Sequence, residues 1–260
     1  MELSLVVPSF RQAATICGDL RNITAMLEKI SSSYELILIV DGNIDNTVQV
    51  VQQDPLLSHV RIYELQHNQG KGAALKHGLS RAQGEIIGFL DAGGDIEISC
   101  LPLMIDTMKF SDADIVIGSK RHELSRVSYP LIRRFYSTGY QILNRILFRM
   151  SIKDTQVGLK LFQRNVIQSI LPHITINRFA FDLELLVVAT KLGYKSIIES
   201  PIRITHTFKS TVSIKTVFEM LQDTLKIYGK MRRKKIVRLS SGVEVTRIPN
   251  KTPAREYEMG

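Results

Sequence analysis

A short apolar run and an acidic, glycine-rich turn meet in the stretch Gly84-Glu85-Ile86-Ile87-Gly88-Phe89-Leu90-Asp91-Ala92-Gly93-Gly94-Asp95. An apolar run of this length between turn residues is typical of a buried strand in a parallel sheet. In open α/β sheets, ligands bind just beyond the carboxyl ends of such strands. The carboxylates of Asp91 and Asp95 are hard oxygen ligands, suited to Mg²⁺ or Mn²⁺ that carries a phosphate-bearing substrate. The alternative interpretation is an ordinary surface turn rich in aspartate and glycine.

Strand-like and helix-like segments alternate through the first half of the chain. The predicted strands are Leu3–Val7, Glu35–Val40, Val60–Leu65, Glu85–Leu90 and Asp114–Gly118. The predicted helices are Ala13–Ile30, Thr47–Gln53, Lys71–Ala82 and Ser99–Phe110. This alternation predicts right-handed βαβ units, and hence an α/β fold with a Rossmann-like, mostly parallel sheet flanked by helices.

Composition narrows the class of protein and its partners. The chain has 260 residues, 44% of them hydrophobic, and a formal net charge of +9. That charge suits nucleic acid, an anionic membrane surface or phosphorylated ligands. No zinc-finger spacing, RNP-type pattern or helix-turn-helix signature is present, so we expect no nucleic acid. Cys17 and Cys100 form no disulfide framework, and we see neither a signal peptide nor an apolar run of the roughly 20 residues that span a bilayer. We therefore expect a cytoplasmic protein.

Three other predicted strand ends carry polar or aromatic residues that suit a nucleotide. Phe10 follows the first strand, where its ring could cover a nucleobase. Asp41 follows the second, where it could accept a hydrogen bond from a base or ribose. Lys71, between Gly70 and Gly72, opens a helix after the third, and such a helix N-terminus offers N–H groups and a cation to a phosphate. Each loop alone is an ordinary α/β turn, but four at successive strand ends indicate a ligand site.

The chain resembles family 2 glycosyltransferases of the GT-A fold over roughly residues 1–230. The motifs that carry the resemblance are Val7-Pro8-Ser9-Phe10, Val40-Asp41-Gly42-Asn43-Ile44-Asp45-Asn46-Thr47, His67-Asn68-Gln69-Gly70-Lys71-Gly72-Ala73 and Phe89-Leu90-Asp91-Ala92-Gly93-Gly94-Asp95. Three later segments look like the dolichyl-phosphate mannose and glucose synthase branch: Gly118-Ser119-Lys120-Arg121, Asp154-Thr155-Gln156-Val157-Gly158-Leu159-Lys160-Leu161-Phe162 and Phe179-Ala180-Phe181-Asp182-Leu183-Glu184-Leu185-Leu186.

The resemblance implies a metal-dependent, inverting hexosyltransferase. Its donor would be a nucleotide sugar of the UDP-glucose or GDP-mannose type, and its acceptor a polyprenyl or dolichyl phosphate. The nucleotide site is predicted at Pro8, Phe10, Gln12, Asp41, Asn68, Lys71, Gly72 and Asp91. The metal ligands are predicted to be Asp91 and Asp95, holding Mg²⁺ or Mn²⁺ on the diphosphate, where the cation offsets the charge of the leaving group.

The chain departs from the family pattern at three places. Arg11-Gln12 stands where the first motif usually continues Asn-Glu, and Val40-Asp41 stands where two adjacent aspartates are usual. The usual Asp-x-Asp metal motif reads Asp91-Ala92-Gly93, so we predict that Asp95 replaces the missing carboxylate.

Transfer to a phosphate needs little help from a general base, because the acceptor oxygen is already anionic. It needs alignment and positive charge that holds two anions together. The predicted catalytic residues are Asp91, Arg121, Asp154 and Lys160, and the predicted acceptor-phosphate ligands are Arg121, Lys160, Arg203 and Lys209. The alternative for Asp154 is a helix or turn cap. Asp182 and Glu184 lie near the position of a base in many family 2 enzymes, but on a helix they point to different faces, so at most one faces the site.

Two segments of the second half are predicted to be amphipathic helices, Leu131–Met150 and Ile214–Met231. The first either packs on the sheet or lies at an anionic membrane surface. The second ends in the basic cluster Lys230-Met231-Arg232-Arg233-Lys234-Lys235, which is either an ordinary set of cations favoured by the dipole of the helix C-terminus or a site for anionic lipid headgroups. We divide the chain into a glycosyltransferase domain (1–212, with 129–150 as a possible interfacial helix), a basic amphipathic helix (213–238) and a flexible tail (239–260). The expected protein is peripheral, at the cytoplasmic face of a membrane, with a possible membrane-protein partner or homo-oligomer.

Other functions fit parts of the same pattern. A family 2 transferase acting on a saccharide or glycolipid would need a true base, such as Asp182 or Glu184. A non-catalytic nucleotide-sugar-binding subunit would explain glycine at position 93. A nucleotidyltransferase would need a glycine-rich first loop that the sequence lacks.

Overall fold

The computed structural model describes residues 1–126, 131–204, 214–233 and 254–257. The strands are β1 (Leu3–Ser9), β2 (Tyr34–Asp41), β3 (Arg61–Leu65), β4 (Ile86–Leu90), β5 (Ile115–Ser119), β6 (Leu159–Gln163), β7 (Ile197–Pro201) and β8 (Ala254–Tyr257). The α-helices are α1 (Ile16–Ile30), α2 (Thr47–Gln52), α3 (Lys71–Leu79), α4 (Leu101–Phe110), α5 (Leu131–Phe148), α6 (Arg164–Ile170), α7 (Phe181–Lys191) and α8 (Ile214–Arg233).

The eight strands form one sheet in the order β7-β5-β6-β4-β1-β2-β3-β8. Strands β1 to β4 pair in parallel, and β5 pairs in parallel with β7. Strand β6 is antiparallel to both of its neighbours, and β8 is antiparallel to β3. A mostly parallel sheet flanked by helices confirms the predicted fold class.

Both faces of the sheet are covered by apolar layers, as the continuous apolar strands predict. One layer joins Val6, Ile39 and Phe89 to residues of α3, α6 and α7, and the other joins Leu5 and Leu38 to residues of α1 and α4. Because successive strand side chains point to opposite faces, neighbouring strand residues contribute to different layers. The helices thereby hold the carboxyl ends of the parallel strands at one edge of the sheet.

Several predicted boundaries shift by a few residues. Helix α1 begins at Ile16 rather than Ala13, because the Asp45 carboxylate accepts a hydrogen bond from the Ala13 backbone N–H (2.9 Å) and holds the preceding turn. Helix α3 ends at Leu79 rather than Ala82, and a 3₁₀ turn precedes α4. The element types are unchanged by these shifts.

Four residues of the predicted flexible tail are ordered instead. Residues Ala254–Tyr257 form β8, which pairs with β3. The Tyr63 hydroxyl donates to the Glu256 carboxylate (2.8 Å), and the Tyr257 hydroxyl donates to Glu64 (2.5 Å). A four-residue strand has no detectable periodicity, which is why the sequence did not predict it. Strand β8 covers the edge that β3 would otherwise expose.

Helices α5 and α8 pack against each other and leave large apolar side chains exposed. The Tyr140 hydroxyl hydrogen-bonds to that of Thr224 (2.8 Å). Ile142 and Ile146 on α5 are 54% and 70% exposed, and Phe218 and Leu225 on α8 are 60% and 59% exposed. No helix in the described part of the chain is long and apolar enough to cross a membrane.

Lys230 fastens α8 to α7 through a buried carboxylate. Its ammonium lies 2.7 Å from Oε1 of Glu184 and also donates to the backbone carbonyl of His173. Glu184 is fully buried and accepts further hydrogen bonds from the backbone N–H groups of Thr175 (2.9 Å) and Ile176 (2.7 Å). Lys230, the first of the basic residues at the C-terminal end of α8, is therefore an internal ion-pair partner.

We expect Lys230→Met to destabilise the fold by about 2 to 3 kcal/mol, because breaking a buried pair leaves an uncompensated charge. Denaturant unfolding measures the change. Lys109→Met on α4 is the control, since its pair with Glu2 is exposed on both sides and worth less than about 1 kcal/mol. Equal losses in the two variants would contradict the assignment.

Candidate active site

The carboxyl ends of β1, β2 and β4 lie side by side because these strands are parallel neighbours. They bring the loops that follow Ser9, Asp41 and Leu90 to one edge of the sheet. This edge is where open α/β sheets bind ligands.

Two lysines and two aspartates from four elements meet at this edge. Lys71 donates to Asp91 Oδ2 (2.7 Å) and to Asp182 Oδ2 (3.0 Å). Lys160 donates to Asp182 Oδ1 (2.5 Å) and to the Val157 carbonyl (2.5 Å). We call these four residues, from α3, the end of β4, β6 and α7, the lysine–aspartate cluster. Both carboxylate oxygens of Asp182 are therefore bonded to ammonium groups.

Apolar and backbone groups fix the geometry of the cluster. The Phe89 ring lies below it, with its centroid 5.7 Å from the Lys71 ammonium and 5.3 Å from that of Lys160. The Asp91 backbone N–H donates to the Gly158 carbonyl (2.8 Å). A Cβ atom at Gly158 would lie 2.0 Å from Asp91 Oδ2, so only glycine leaves room for this carboxylate.

The pKa values of the cluster follow from burial and charge. Burial opposes ionisation of Asp182, but Lys160 and Lys71 outweigh it and lower its pKa. Burial also opposes the charge of Lys71, but Asp182 and Asp91 outweigh it and raise its pKa. Burial raises the pKa of Asp91, although Lys71 acts in the opposite direction. Asp182 is thus an ionised, fully engaged carboxylate.

Asp91 retains one unused acceptor. Its Oδ1 atom is buried and has no hydrogen-bond partner among the described residues. Asp95, the other predicted metal ligand, is exposed on the same turn. Asp19, which the sequence analysis missed, accepts a hydrogen bond from the Gly93 N–H (3.0 Å). No signal in the sequence links α1 to this turn.

The donor set at Asp91 fits a magnesium-like ion that is shared with a substrate. Within the described ranges, no three histidine, cysteine, aspartate or glutamate side chains form a metal-binding group. Mg²⁺ is commonly held by one or two carboxylates together with substrate phosphates, so the carboxylate of Asp91, with one oxygen that accepts no hydrogen bond, suits an anchor for the ion.

The predicted nucleotide residues after β1 lie beside this turn. Phe10 is 38% exposed, with the Arg11 guanidinium 5.3 Å from its ring centroid, and Pro8 is half-buried. A Cβ atom at Gly93 would lie 3.5 Å from the Gln12 amide nitrogen, which places that side chain next to the acidic turn. The loop after β1 thus places Gln12 next to the turn that follows Asp91, and Phe10 lies exposed on the same loop.

Asp41 has a different role from the predicted contact with base or ribose. It is 3% exposed and accepts hydrogen bonds from the backbone N–H groups of Gln69 (2.7 Å) and Gly70 (2.8 Å). Burial raises its pKa, and these two N–H groups act against that rise. Asp41 therefore holds the loop that leads to Lys71, while Asn68 on that loop is exposed.

The start of α3 is covered rather than open to a phosphate. The Asn177 carbonyl accepts from the Ala73 N–H (3.1 Å), and a Cβ atom at Gly72 would lie 2.7 Å from Cβ of Phe181. Glycine at position 72 permits close packing of α3 on α7. This placement differs from the predicted phosphate cradle, because the segment before α7 caps the helix.

The residues that were predicted to bind the acceptor or to act on it differ in their surroundings in the structure. The Asp154 carboxylate accepts from the backbone N–H groups of Lys120 (3.1 Å) and Gln156 (3.3 Å), which matches the turn-cap alternative. Arg121 is half-buried and Arg203 is exposed. Lys209 lies outside the described residues.

Lys160 is fully buried, which differs from the expectation that it contacts an acceptor phosphate. Its strand, β6, lies between β4 and β5, so the side chain faces the interior and reaches Asp182. Its place between Leu159 and Leu161 was the sequence signal for a buried charge. We therefore assign Lys160 to positioning Asp182.

Comparisons with known proteins agree with this fold. The sequence pattern of glycosyl transferase family 2 matches residues 4–171. A dolichyl-phosphate beta-glucosyltransferase of Dictyostelium discoideum is 33% identical over 206 residues, covering 74% of this chain and 63% of that protein. The human protein of the same name is 30% identical, covering 72% of this chain and 63% of its own length. The chain thus spans less than two thirds of these relatives.

Among solved structures, glucosyl-3-phosphoglycerate synthase of Mycobacterium tuberculosis, crystallised with Mn²⁺, uridine diphosphate and phosphoglyceric acid, has a TM-score of 0.67 at 17% identity. The match covers 98% of this chain and 86% of that one. Mannosyl-3-phosphoglycerate synthase of Rubrobacter xylanophilus has a TM-score of 0.65 at 14% identity, covering 99% and 86% of the two chains. At these identities the likeness shows a shared fold. Because the family pattern covers more than half of its residues, the chain belongs to glycosyl transferase family 2.

Proposed function

We propose that the protein transfers a glucosyl group, with inversion, from UDP-glucose to a dolichyl or polyprenyl phosphate. The names of its relatives in Dictyostelium discoideum and human support glucose over mannose and a lipid phosphate over other acceptors. The Phe10 ring, exposed on the loop whose Gln12 lies next to the acidic turn, supports a nucleotide donor.

The observation that carries this proposal is the engagement of Asp182. A saccharide acceptor has a hydroxyl proton that a general base must remove, whereas a phosphate oxygen is already anionic. Asp182 is 1% exposed, both of its oxygens are bonded to ammonium groups, and its pKa is lowered. Glu184 is bonded to Lys230 and to backbone N–H groups away from the cluster. Neither carboxylate is arranged to accept a proton from substrate, which favours the phosphate acceptor over a saccharide.

The remaining roles are assigned by position. Asp91, with Asp95 on the same turn, would hold Mg²⁺ or Mn²⁺, which when bound offsets negative charge on the donor diphosphate. Lys71 holds Asp91 in place from the opposite side. Arg121, Arg203 and Lys209 supply positive charge for the acceptor phosphate, and Asp154 holds the loop that carries Arg121.

We expect the full chain to transfer labelled glucose from UDP-glucose to dolichyl phosphate in the presence of Mn²⁺ or Mg²⁺. Excess chelator should reduce the rate at least 100-fold, because the donor diphosphate loses its counter-charge. Extraction and counting of the lipid product measures the reaction. GDP-mannose and a saccharide acceptor are the comparison substrates. Nucleotide binding without transfer from any donor would instead support the non-catalytic subunit.

Gly158→Ala tests whether transfer requires the Asp91 carboxylate in its observed position. The added methyl group would collide with Asp91, so we expect the rate to fall at least 100-fold while nucleotide affinity changes less than tenfold. Gly229→Ala is the matched control, since nothing lies within 4 Å of its added Cβ, and it should keep its rate. Steady-state kinetics and nucleotide titration give the two readouts. Full activity of Gly158→Ala would show that transfer does not require the Asp91 carboxylate in this position.

We propose that the outward faces of α5 and α8 place the enzyme on an anionic membrane surface, as a peripheral protein at its cytoplasmic face. Exposed Ile146 and Phe218 supply apolar contacts, and exposed Arg145 and Arg233 supply charge. This arrangement supports the division into a catalytic domain at 1–212 and a membrane-facing segment at 213–238. A membrane-protein partner or a second copy would contact the same faces.

Phe218→Glu should weaken co-sedimentation with vesicles of phosphatidylserine and phosphatidylcholine at least fivefold, because it puts a negative charge in the apolar contact. Phe110→Glu, at a side chain 91% exposed on α4, is the control and should change binding less than twofold. Equal weakening in both variants would mean that net charge alone determines the attachment.

A further inference from the structure

A cavity of about 280 Å³ lies where the C-terminal ends of α5, α7 and α8 meet. Small-molecule sites span about 300 to 1,000 Å³, so this cavity lies just below that range and suits a small ligand or part of a larger one. Helix α7 carries Asp182 in its first turn and Thr190 at the cavity. With a rise of 1.5 Å per residue, roughly 12 Å of helix separates the two positions. The cavity is therefore distinct from the lysine–aspartate cluster.

The inner wall of the cavity is apolar. Met150, Val187 and Met231 line it, and each is less than a tenth exposed. The rings of Phe148 and Tyr228 meet edge to face, with their centroids 6.1 Å apart and their planes at 76°. Such a wall suits an aliphatic chain rather than a polar ligand.

The cavity is also bordered by three cations, Arg149, Lys191 and Arg232. None of the three forms an ion pair with a carboxylate in the part of the chain that the structure describes. A helix dipole favours one basic residue near each C-terminus. It does not explain why the basic residues of three helices border one apolar space.

Arg149 is held in an unusual backbone conformation. Its φ angle is +54°, directly after the end of α5, where helices commonly place glycine. A non-glycine residue there costs stability. Arg149 therefore places a charged side chain at the cavity, although the backbone conformation at this position favours glycine.

We propose that this cavity binds the phosphate group of an amphiphile together with the first part of its aliphatic chain. The phosphate lies among Arg149, Lys191 and Arg232, and the chain lies against Val187 and Met231. This site is separate from the lysine–aspartate cluster, and its occupation does not depend on transfer activity.

The absence of tryptophan from the sequence provides a local reporter. Tyr228→Trp places the sole indole in the cavity wall, and Leu147→Trp is a second reporter position in the same wall. The full chain is titrated with octyl phosphate below its micelle concentration, with inorganic phosphate and with octyl glucoside. We expect saturable changes in tryptophan emission with octyl phosphate, at concentrations at least tenfold lower than with either other compound.

Further substitutions in the protein that carries the tryptophan reporter distinguish a loss of charge at the cavity from a loss of stability. Arg149→Gly removes the cation and supplies the residue that the backbone prefers, so octyl phosphate should bind at least fivefold more weakly while the thermal midpoint stays equal or rises. Lys29→Gln, in the exposed last turn of α1, removes a cation away from the cavity and is the control, which should change binding less than twofold.

Three results would overturn the proposal. Inorganic phosphate that binds as tightly as octyl phosphate would make this a site for free phosphate. If octyl glucoside bound as tightly as octyl phosphate, the cavity would recognise only the aliphatic chain and not the phosphate. If Arg149→Gly bound octyl phosphate as tightly as the parent, the Arg149 guanidinium would have no part in binding the phosphate. Because the readout is binding at the cavity, each result is independent of whether the enzyme transfers glucose.

Discussion

The lysine–aspartate cluster at the edge of the sheet depends on one buried charge, the carboxylate of Asp182. It is bonded to Lys160 from β6 and to Lys71 from α3, and Lys71 in turn reaches Asp91 at the end of β4. Transfer of an ion from water to the interior costs several kcal/mol, and only close partners of opposite charge offset that cost. The position of Asp91 is therefore tied to the packing of three other elements.

The cluster is electrically balanced, since two ammonium groups face two carboxylates. Loss of any one member leaves a net charge in a poorly hydrated space, where removal of a partner is far more costly than replacement of the whole group by apolar residues. Gly158 and Phe89 complete the arrangement without charge, one by leaving room for Asp91 and the other by presenting its ring to both ammonium groups. The site is thus one interdependent unit of charge and shape.

The sequence predicted the sheet well because parallel strands buried on both faces produce continuous apolar runs, as at Ile86–Leu90. It also predicted that residues at successive strand ends would converge, since parallel strands share one edge. It could not predict which way a polar side chain turns after the strand ends. Asp41 binds the neighbouring loop and Lys160 turns inward because of contacts between residues that lie far apart in the chain. Strand β8 was missed because four residues carry too little pattern.

The ion pair between Lys230 and Glu184 separates two kinds of attachment by their response to ionic strength. A buried pair is hardly screened by salt, whereas an exposed arginine such as Arg233 loses most of its long-range attraction at a few hundred millimolar salt. Raising the salt concentration would therefore release the basic end of α8 from an anionic surface without loosening α8 from α7. In the proposed attachment, one lysine would fix the helix to α7, and Arg233 would hold it reversibly at the anionic surface.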